Sequence, residues 1–138
     1  MEEDLGRVLE TWKKDLENAW RQLPKPFRSD HSIRRTLQCH LYKQLCQTGH
    51  RIVADYMPPR ISDRPVDLIA VTENHEIVYA VCLDTVVTLA AVKSLSSFEA
   101  VNKVILTTGH LLKKVQESRF FLKDEIQHVH LQPFDKSF

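Results

Sequence analysis

The spacing of apolar residues predicts two amphipathic helices in the first third of the chain. Between residues 2 and 23, apolar side chains recur at three- and four-residue steps, which is the period of a helix with one buried face. A second stripe predicts a helix over residues 30–48, which Ser29 or Asp30 caps and Gly49 ends. The apolar positions are Leu5, Val8, Leu9, Trp12, Leu16, Ala19, Trp20 and Leu23 in the first helix and Ile33, Leu37, Leu41 and Leu45 in the second.

Short apolar runs separated by polar turns follow, and they predict five strands. The runs span residues 50–56, 66–72, 76–83, 102–108 and 128–134. Helical patterns occupy residues 85–100 and 110–121, and a short helical or irregular segment is expected over residues 122–127. Short connections join the first three strands, whereas helices between the later strands imply parallel crossovers. The order predicts one α/β domain over residues 1–138, with a mixed sheet flanked by helices and an N-terminal helical extension at residues 1–23.

Composition and charge narrow the class of protein only modestly. The chain has 138 residues, of which 43% are hydrophobic, and a net charge of +1, as expected of one soluble globular domain. This charge carries no strong basic excess that would indicate a nucleic-acid partner. The acidic N-terminus lacks a signal-peptide pattern, and no apolar run approaches the roughly 18 residues of a membrane span, so we expect a cytoplasmic protein with no membrane partner. The three cysteines, Cys39, Cys46 and Cys82, have no paired spacing and are expected to be free thiols.

Four segments between residues 32 and 132 occur in a recognisable order. They are a helix running through Gly49 into a strand (LYKQLCQTGHRIV), a strand opening with Asp67 (RPVDLIAV), the strand YAVCLD before a helix, and a strand–turn–helix unit (VNKVILTTGHLLKKVQE). The ordered set resembles the PD-(D/E)XK nuclease superfamily, most closely its Mrr-type restriction endonuclease branch. The resemblance implies a restriction-endonuclease-like α/β fold, with the N-terminal helix as an addition to it.

The resemblance also implies a specific metal chemistry. In that family, a carboxylate at the start of the second core strand and a second carboxylate on the third strand hold Mg²⁺ through oxygen atoms. A lysine two residues after the second carboxylate assists the attacking water and stabilises charge on the phosphate. Asp67 matches the first position and would be the metal ligand. Gln38 stands at a helix position that often carries a further acidic residue, and it departs from the pattern.

The third strand does not supply the acid and the lysine. In one register the two positions are Val81 and Leu83, and in the register shifted by one residue they are Cys82 and Asp84. The choice matters because a shift of one residue exchanges the two faces of a strand. The spacing from Asp67 favours the register that places Val81 and Leu83 on the side of the site. Neither register contains the acid-X-lysine motif.

A rearranged catalytic set is an alternative. Some members of the superfamily carry a catalytic side chain on the following helix, so Asp67, Asp84 and Lys93 form a candidate set for an active enzyme with Mg²⁺ as its cofactor. A purely structural interpretation is that Asp84 caps the helix that starts at Thr85 and that Lys93 is a solvated surface lysine. Under that interpretation no cofactor is expected.

Basic side chains near these segments are candidates for contacts with the phosphates of DNA or RNA. They are Arg34, Arg35, Arg51, Arg60, Arg64, Lys113 and Lys114. A solvated surface balanced by acidic residues explains them equally well. The near-neutral net charge of the chain predicts that binding to nucleic acid is modest and strongly sensitive to salt.

Two further patterns each have a structural and a functional interpretation. His128 and His130 share one face of a predicted strand and would suit a transition metal, but the sequence nominates no third ligand. Trp12 and Trp20 share one face of the first helix. That face either packs on the domain's own sheet or docks on a second copy or another protein, since aromatic residues often anchor interfaces.

Taken together, the fold resemblance and the degenerate motif predict a catalytically inactive nuclease-like domain. Its expected role is that of an accessory module that binds nucleic acid or protein. The first alternative is a Mg²⁺-dependent nuclease with the rearranged set of Asp67, Asp84 and Lys93. The second alternative is a structural oligomerisation module based on the Trp-bearing helix.

Overall fold

The computed structural model describes residues 4–60 and 63–134. Within that part of the chain, the helices are α1 (Leu5–Gln22), α2 (Asp30–Cys46), α3 (Leu89–Ser96) and α4 (Leu112–Ser118). The strands are β1 (Arg51–Tyr56), β2 (Val66–Val71), β3 (Ile77–Asp84), β4 (Asn102–Thr107) and β5 (Ile126–His130). None of the described helices is long and apolar enough to cross a membrane.

The five strands form one mixed sheet in the order β1-β2-β3-β4-β5. The pairs β1–β2 and β2–β3 are antiparallel and follow short connections. The pairs β3–β4 and β4–β5 are parallel, with α3 and α4 as their crossovers. This arrangement confirms the predicted α/β class and the mixed sheet flanked by helices.

Two apolar clusters lie on opposite faces of the sheet because strand side chains alternate between faces. The first cluster joins α1 and α2 to strand residues such as Leu68, Val81 and Leu106. The second cluster joins α3 to the other face, with Ile69, Cys82, Ile105, Ala91 and Leu95 among its members. The carboxyl ends of β3, β4 and β5 lie at one edge of the sheet, where open cavities suit the binding of ligands.

The start of α2 at Asp30 agrees with the pattern and its end at Cys46 comes two residues earlier than predicted, whereas the boundaries of α3 correct the pattern. Ser29 Oγ accepts a hydrogen bond from the backbone N–H of Ser32, and Ser32 Oγ accepts one from the N–H of Ser29, which closes a capping box. Helix α3 was predicted from residue 85 but begins at Leu89. Its cap is Thr88, whose Oγ1 accepts a hydrogen bond of 3.1 Å from Ala91 N. The cap role predicted for Asp84 is therefore wrong, because the β-branched segment 85–88 stays outside the helix.

The segment after α4 also departs from the sequence pattern. Helix α4 ends at Ser118, and a single 3₁₀ turn, Arg119–Phe121, replaces its predicted last residues. Residues 122–127 were expected to be helical or irregular. Residues 122–125 are irregular and include a turn, in which Ile126 N donates to Lys123 O. Residues 126 and 127 belong to strand β5, which spans Ile126–His130 instead of the predicted 128–134.

The N-terminal helix is part of the hydrophobic core. Only 3% of Trp12 and 6% of Trp20 are exposed, and both belong to the cluster under α1 and α2. The Trp12 ring packs edge-on against Tyr79 of β3, with 5.1 Å between ring centroids. The tryptophan face therefore packs on the domain's own sheet, the first of the two interpretations. It is not an open surface for a second copy.

The buried face of α1 yields a stability prediction. Leu16 is fully buried, so we expect Leu16→Ala to lower the free energy of unfolding by about 2–5 kcal/mol through lost burial and a residual cavity. The control is Lys14→Ala, on the exposed face of the same helix, which should change the free energy of unfolding by less than about 0.5 kcal/mol. Urea denaturation measures both. Equal effects of the two substitutions would contradict the placement of α1 in the core.

Candidate functional site

A polar cavity of about 300 Å³ opens at the carboxyl end of β3, between α2 and the start of β2. Three arginines and three aspartates line it, so its formal charges balance. The lining consists of His31, Arg34, Arg35, Gln38, Asp55, Arg64, Pro65, Asp67, Leu83 and Asp84.

The guanidinium of Arg64 lies between the two candidate catalytic carboxylates. Its Nη2 is 3.0 Å from Asp67 Oδ2, 3.0 Å from Asp84 Oδ2 and 3.3 Å from the backbone oxygen of Leu83. Three oxygens thus converge on one nitrogen. Only 16% of the Arg64 side chain is exposed, so the contacts are largely shielded from solvent.

The backbone before β2 positions this arginine. Ser94 Oγ, on α3, donates a 2.6 Å hydrogen bond to the carbonyl oxygen of Arg64. The guanidinium also donates to the carbonyl of Pro65. These bonds tie the segment between β1 and β2 to α3 and direct the side chain of Arg64 into the cavity.

Charge and burial compete at Asp67. Burial raises the pKa of Asp67, although the Arg64 guanidinium and a 2.6 Å hydrogen bond from Leu83 N act in the opposite direction. Burial also opposes the charge on Arg64, but the neighbouring Cys82, Asp67 and Asp84 outweigh it and raise the pKa of Arg64 above its usual value. The guanidinium therefore stays positive and supplies the permanent countercharge of the site.

Gln38 connects α2 to the two strands beneath it. Its Nε2 donates to Asp55 Oδ1 at 2.9 Å and to the backbone oxygen of Asp67 at 2.8 Å. Its Oε1 accepts a 2.7 Å hydrogen bond from Arg35 Nη1. A carboxylate cannot donate to either oxygen, so the amide at this position serves a role that an acidic residue could not fill.

Arg34 and Arg35 are the accessible cations of the cavity. The side chain of Arg34 is 33% exposed, and its Nη1 lies 3.7 Å from Asp84 Oδ1. The side chain of Arg35 is 52% exposed and pairs with Asp55 at 3.2 Å. Burial acts to raise the pKa of Asp55, but hydrogen bonds from Gln38 and Arg35 lower it below its usual value. The exposed Arg35–Asp55 pair is weak, and both guanidinium groups are open to competition by an anionic ligand.

The register of β3 resolves the question that the sequence left open. Leu68 pairs with Val81, and both Val81 and Leu83 belong to the cluster under α1 and α2. Leu83 also lines the cavity, as the favoured register predicts. Cys82 belongs to the cluster on the opposite face, and burial raises the pKa of its thiol to about 12. On β3 the cavity is lined by Leu83 and Asp84, so this strand offers no acid followed two residues later by a lysine.

The predicted site residues fall into two groups. Arg34, Arg35, Arg64, Asp67 and Asp84 all line the cavity. The remaining candidates do not line it and are exposed elsewhere: Lys93 on α3, Arg51 at the start of β1, Arg60 after β1, and Lys113 and Lys114 on α4. The structure thus does not bring Lys93 to the pair Asp67 and Asp84.

Two participants in the cavity were not predicted from the sequence. Asp55 follows the apolar residues 52–54 of β1, and its positive φ of 54° marks an irregular position that no neighbouring glycine signals. His31 follows Asp30 at the start of α2 and was not singled out by any motif. A polar residue inside HRIVADY was the only available signal for Asp55.

The two histidines of β5 share a hydroxyl group. Thr107 Oγ1 is 2.8 Å from His128 Nε2 and 2.9 Å from His130 Nδ1. Burial, with Arg119 and His130 nearby, lowers the pKa of His128 to about 4, and burial with Lys13 nearby lowers that of His130. Among the described residues, no group of three His, Cys, Asp or Glu side chains has the geometry to hold a metal ion. The pair therefore forms a hydrogen-bonded unit between β4 and β5.

No family model, curated protein sequence or solved structure matches the chain. The chemistry of the cavity follows from its own side chains. Its defining features are the convergence of oxygens on Arg64, the two exposed arginines on α2 and the balance of formal charge.

The depressed pKa of His128 predicts acid sensitivity. Unfolding restores an ordinary pKa near 6.5, so the unfolded chain binds more protons than the folded one, and stability falls as the pH drops from about 6.5 to about 4. We expect His128→Gln to reduce this loss by on the order of 1 kcal/mol, a value discounted because the ring is only half-buried. Thermal melting across this pH range measures the effect.

The matched control for this prediction is His40→Gln, which alters an exposed histidine on α2. It should leave the pH dependence of the melting temperature unchanged. An identical acid-induced loss in the wild type and in His128→Gln would show that His128 is not the group responsible.

Proposed function

We propose that the chain is a nuclease-like domain without metal-dependent cleavage, and that it acts as an accessory module that binds nucleic acid. The observation that carries this proposal is the position of Arg64, which contributes a fixed positive charge between Asp67 and Asp84. The element order supports the nuclease-like part, since an antiparallel meander followed by a helix and a parallel strand is what the family resemblance implies.

The site as arranged does not fit a divalent metal ion. Asp67 and Asp84 direct Oδ2 atoms toward a common point, and this convergence is the one observation that favours the alternative of a Mg²⁺-dependent nuclease. However, the guanidinium of Arg64 lies within 3.0 Å of both oxygens and offsets one of the two negative charges that would attract a cation, and Arg34 Nη1 lies 3.7 Å from Asp84 Oδ1. Lys93 lies outside the cavity, so the rearranged catalytic set lacks its lysine.

The accessible arginines support the nucleic-acid part of the proposal. Arg34 and Arg35 lie on successive positions of α2 at the open side of the cavity, with His31 one turn earlier. A phosphate competes with Asp55 and Asp84 for these guanidinium groups, because Arg binds phosphate and carboxylate oxygens through the same fork of N–H donors. The competition makes binding weak and sensitive to salt.

The oligomerisation alternative receives no support from α1. Trp12, Leu16 and Trp20 are buried within this chain. An interface through α1 would have to use its polar outer face, for which the tryptophan pattern is no argument. We therefore retain nucleic-acid binding as the function.

A metal-binding test addresses the role of Arg64 directly. The wild type should show no saturable Mn²⁺ binding by isothermal titration, whereas Arg64→Met should gain it, because the two carboxylates lose their countercharge. The variant loses a buried ion pair and is expected to be less stable, by about 3–5 kcal/mol. Added Mn²⁺ should raise its melting temperature, which ties binding to the folded state.

The control for the metal test is the double variant Arg64→Met/Asp67→Asn, which should lose the gained binding. A nuclease assay with Mg²⁺ and Mn²⁺ on single- and double-stranded substrates completes the test. Cleavage by the wild type that Asp67→Ala abolishes would contradict a non-catalytic domain.

A salt titration tests the contacts to phosphate. Fluorescence anisotropy of labelled single-stranded DNA and RNA should show binding at low ionic strength that weakens steeply as salt rises. Replacing Arg34 and Arg35 by Gln should reduce the slope of log K against log salt by about 1.4, as expected for two lost phosphate contacts on a single strand.

The matched control for the salt titration is Arg7→Gln/Lys14→Gln, which removes two exposed charges from α1. It should leave the slope nearly unchanged. Equal losses in both double variants would indicate nonspecific attraction to the whole surface. Absence of binding at any salt concentration would remove nucleic acid as the partner.

A further inference from the structure

A second cavity, separate from the Arg64 site, lies beyond the carboxyl ends of β4 and β5. Its volume is about 210 Å³. Apolar side chains from α1, α2 and the segment after β5 form its walls: Trp20, Ile33, Leu131, Pro133 and Phe134. Trp20 and Phe134 meet at a right angle, with ring centroids 6.3 Å apart and an interplanar angle of 85°.

One cation is held at the wall of this cavity. The Arg28 guanidinium lies over the Phe134 ring, with 4.7 Å between Cζ and the ring centroid. Arg28 Nε donates to Leu23 O at 2.9 Å and Nη2 donates to Arg21 O at 3.1 Å, so both backbone contacts hold it in place. In the part of the chain that the structure describes, no carboxylate pairs with Arg28. Its charge therefore remains available to an anion.

The carboxylate of Glu17, which contacts the cavity residue Gln132, is already engaged. Glu17 Oε2 accepts a 2.7 Å hydrogen bond from the backbone N–H of Gln132 and lies 3.7 Å from Lys13 Nζ. The remaining polar residues of the lining are Thr108, His110, His130 and Gln132, none of which is acidic. The electrostatic character of the cavity is therefore set by Arg28.

The size of the cavity limits the ligand to about one ring system. A cavity of about 150 Å³ lined by apolar side chains is enough to take up benzene, and the volume here is larger by roughly the space of an anionic substituent. Drug-sized ligands need about 300–1,000 Å³. Aromatic walls that meet at a right angle suit a flat ring, which gains both edge and face contacts.

We propose that this cavity binds a planar aromatic ring that carries an anionic group, with the ring against the corner formed by Trp20 and Phe134 and the anion at Arg28. Two sources share this chemistry. One is a nucleotide, free or at an unpaired position of a single strand, and the other is a small aromatic carboxylic acid. The site does not depend on Arg64 or on the contacts to phosphate proposed for Arg34 and Arg35.

The test is a titration of the full chain followed by ¹H–¹⁵N correlation spectra. The probes are uridine and adenosine monophosphates, a short oligothymidylate, benzoate and indole-3-acetate, with benzamide as the neutral counterpart of benzoate. We expect saturable shifts of the Trp20 indole N–H and of the backbone signals of Leu131, Gln132 and Phe134, with a dissociation constant below about 1 mM for at least one anion. Benzamide should bind at least about five-fold more weakly than benzoate.

A negative charge introduced at the mouth of the cavity provides the variant test. His110 is exposed and lines the cavity, so His110→Glu should weaken binding of the anions about five-fold without disturbing the core. The matched control, His40→Glu, places the same charge on an exposed position of α2 outside the cavity and should leave the affinity unchanged. The Arg34/Arg35 double variant should also bind the small anions normally, which separates this site from the phosphate contacts.

Binding of nucleotides or of aromatic acids supports the proposal and identifies the source of the ligand. No saturable shift with any probe, shifts confined to other residues, benzamide binding as tightly as benzoate, or equal effects of His110→Glu and His40→Glu would overturn it. Loss of nucleic-acid binding in the Arg34/Arg35 variant with intact binding at this cavity would show that the two sites act independently.

Discussion

The polar cavity at the carboxyl end of β3 depends on the ion pairs of Arg64. One guanidinium nitrogen contacts Asp67, Asp84 and the carbonyl of Leu83, and its backbone is held by Ser94 of α3. Bringing two carboxylates together at a largely buried position is unfavourable without a countercharge. Here Arg64 supplies that countercharge from within the chain. The charge balance is thereby built into the folded state.

Gln38 links helix α2 to the aspartates of the sheet. As an amide it donates to Asp55 and to the backbone of Asp67 and accepts from Arg35, so α2, β1 and β2 share one network. A carboxylate here would add a fourth negative charge beside three aspartates and could not make the two donor contacts. Neither the amide of Gln38 nor the apolar side chain of Leu83 adds a further negative charge to this cavity.

The start of α2 separates two cavities of contrasting character. His31 and Arg34 face the charged cavity at the end of β3, whereas Arg28 and Ile33 face the apolar cavity beyond β5. Both cavities use the carboxyl ends of the parallel strands, where open α/β sheets leave room for ligands. Charge compensation dominates the first cavity, whereas the apolar walls and the Arg28 guanidinium dominate the second. The two sites can accordingly recognise different parts of a ligand or different ligands.

The sequence by itself determined the α/β class, the strand order along the chain and the buried stripes of α1 and α2, because burial on one face leaves a periodic pattern. It also placed Asp67 at the start of β2. Tertiary structure decided the start of α3, where a β-branched segment before Thr88 hid the true cap, and the strand at residues 126–130. It alone decided the role of Arg64, since residues 64 and 84 meet only when β2 pairs with β3. The cavity around Arg64 is defined by contacts between residues that are distant in sequence. Such contacts leave no periodic pattern in the sequence.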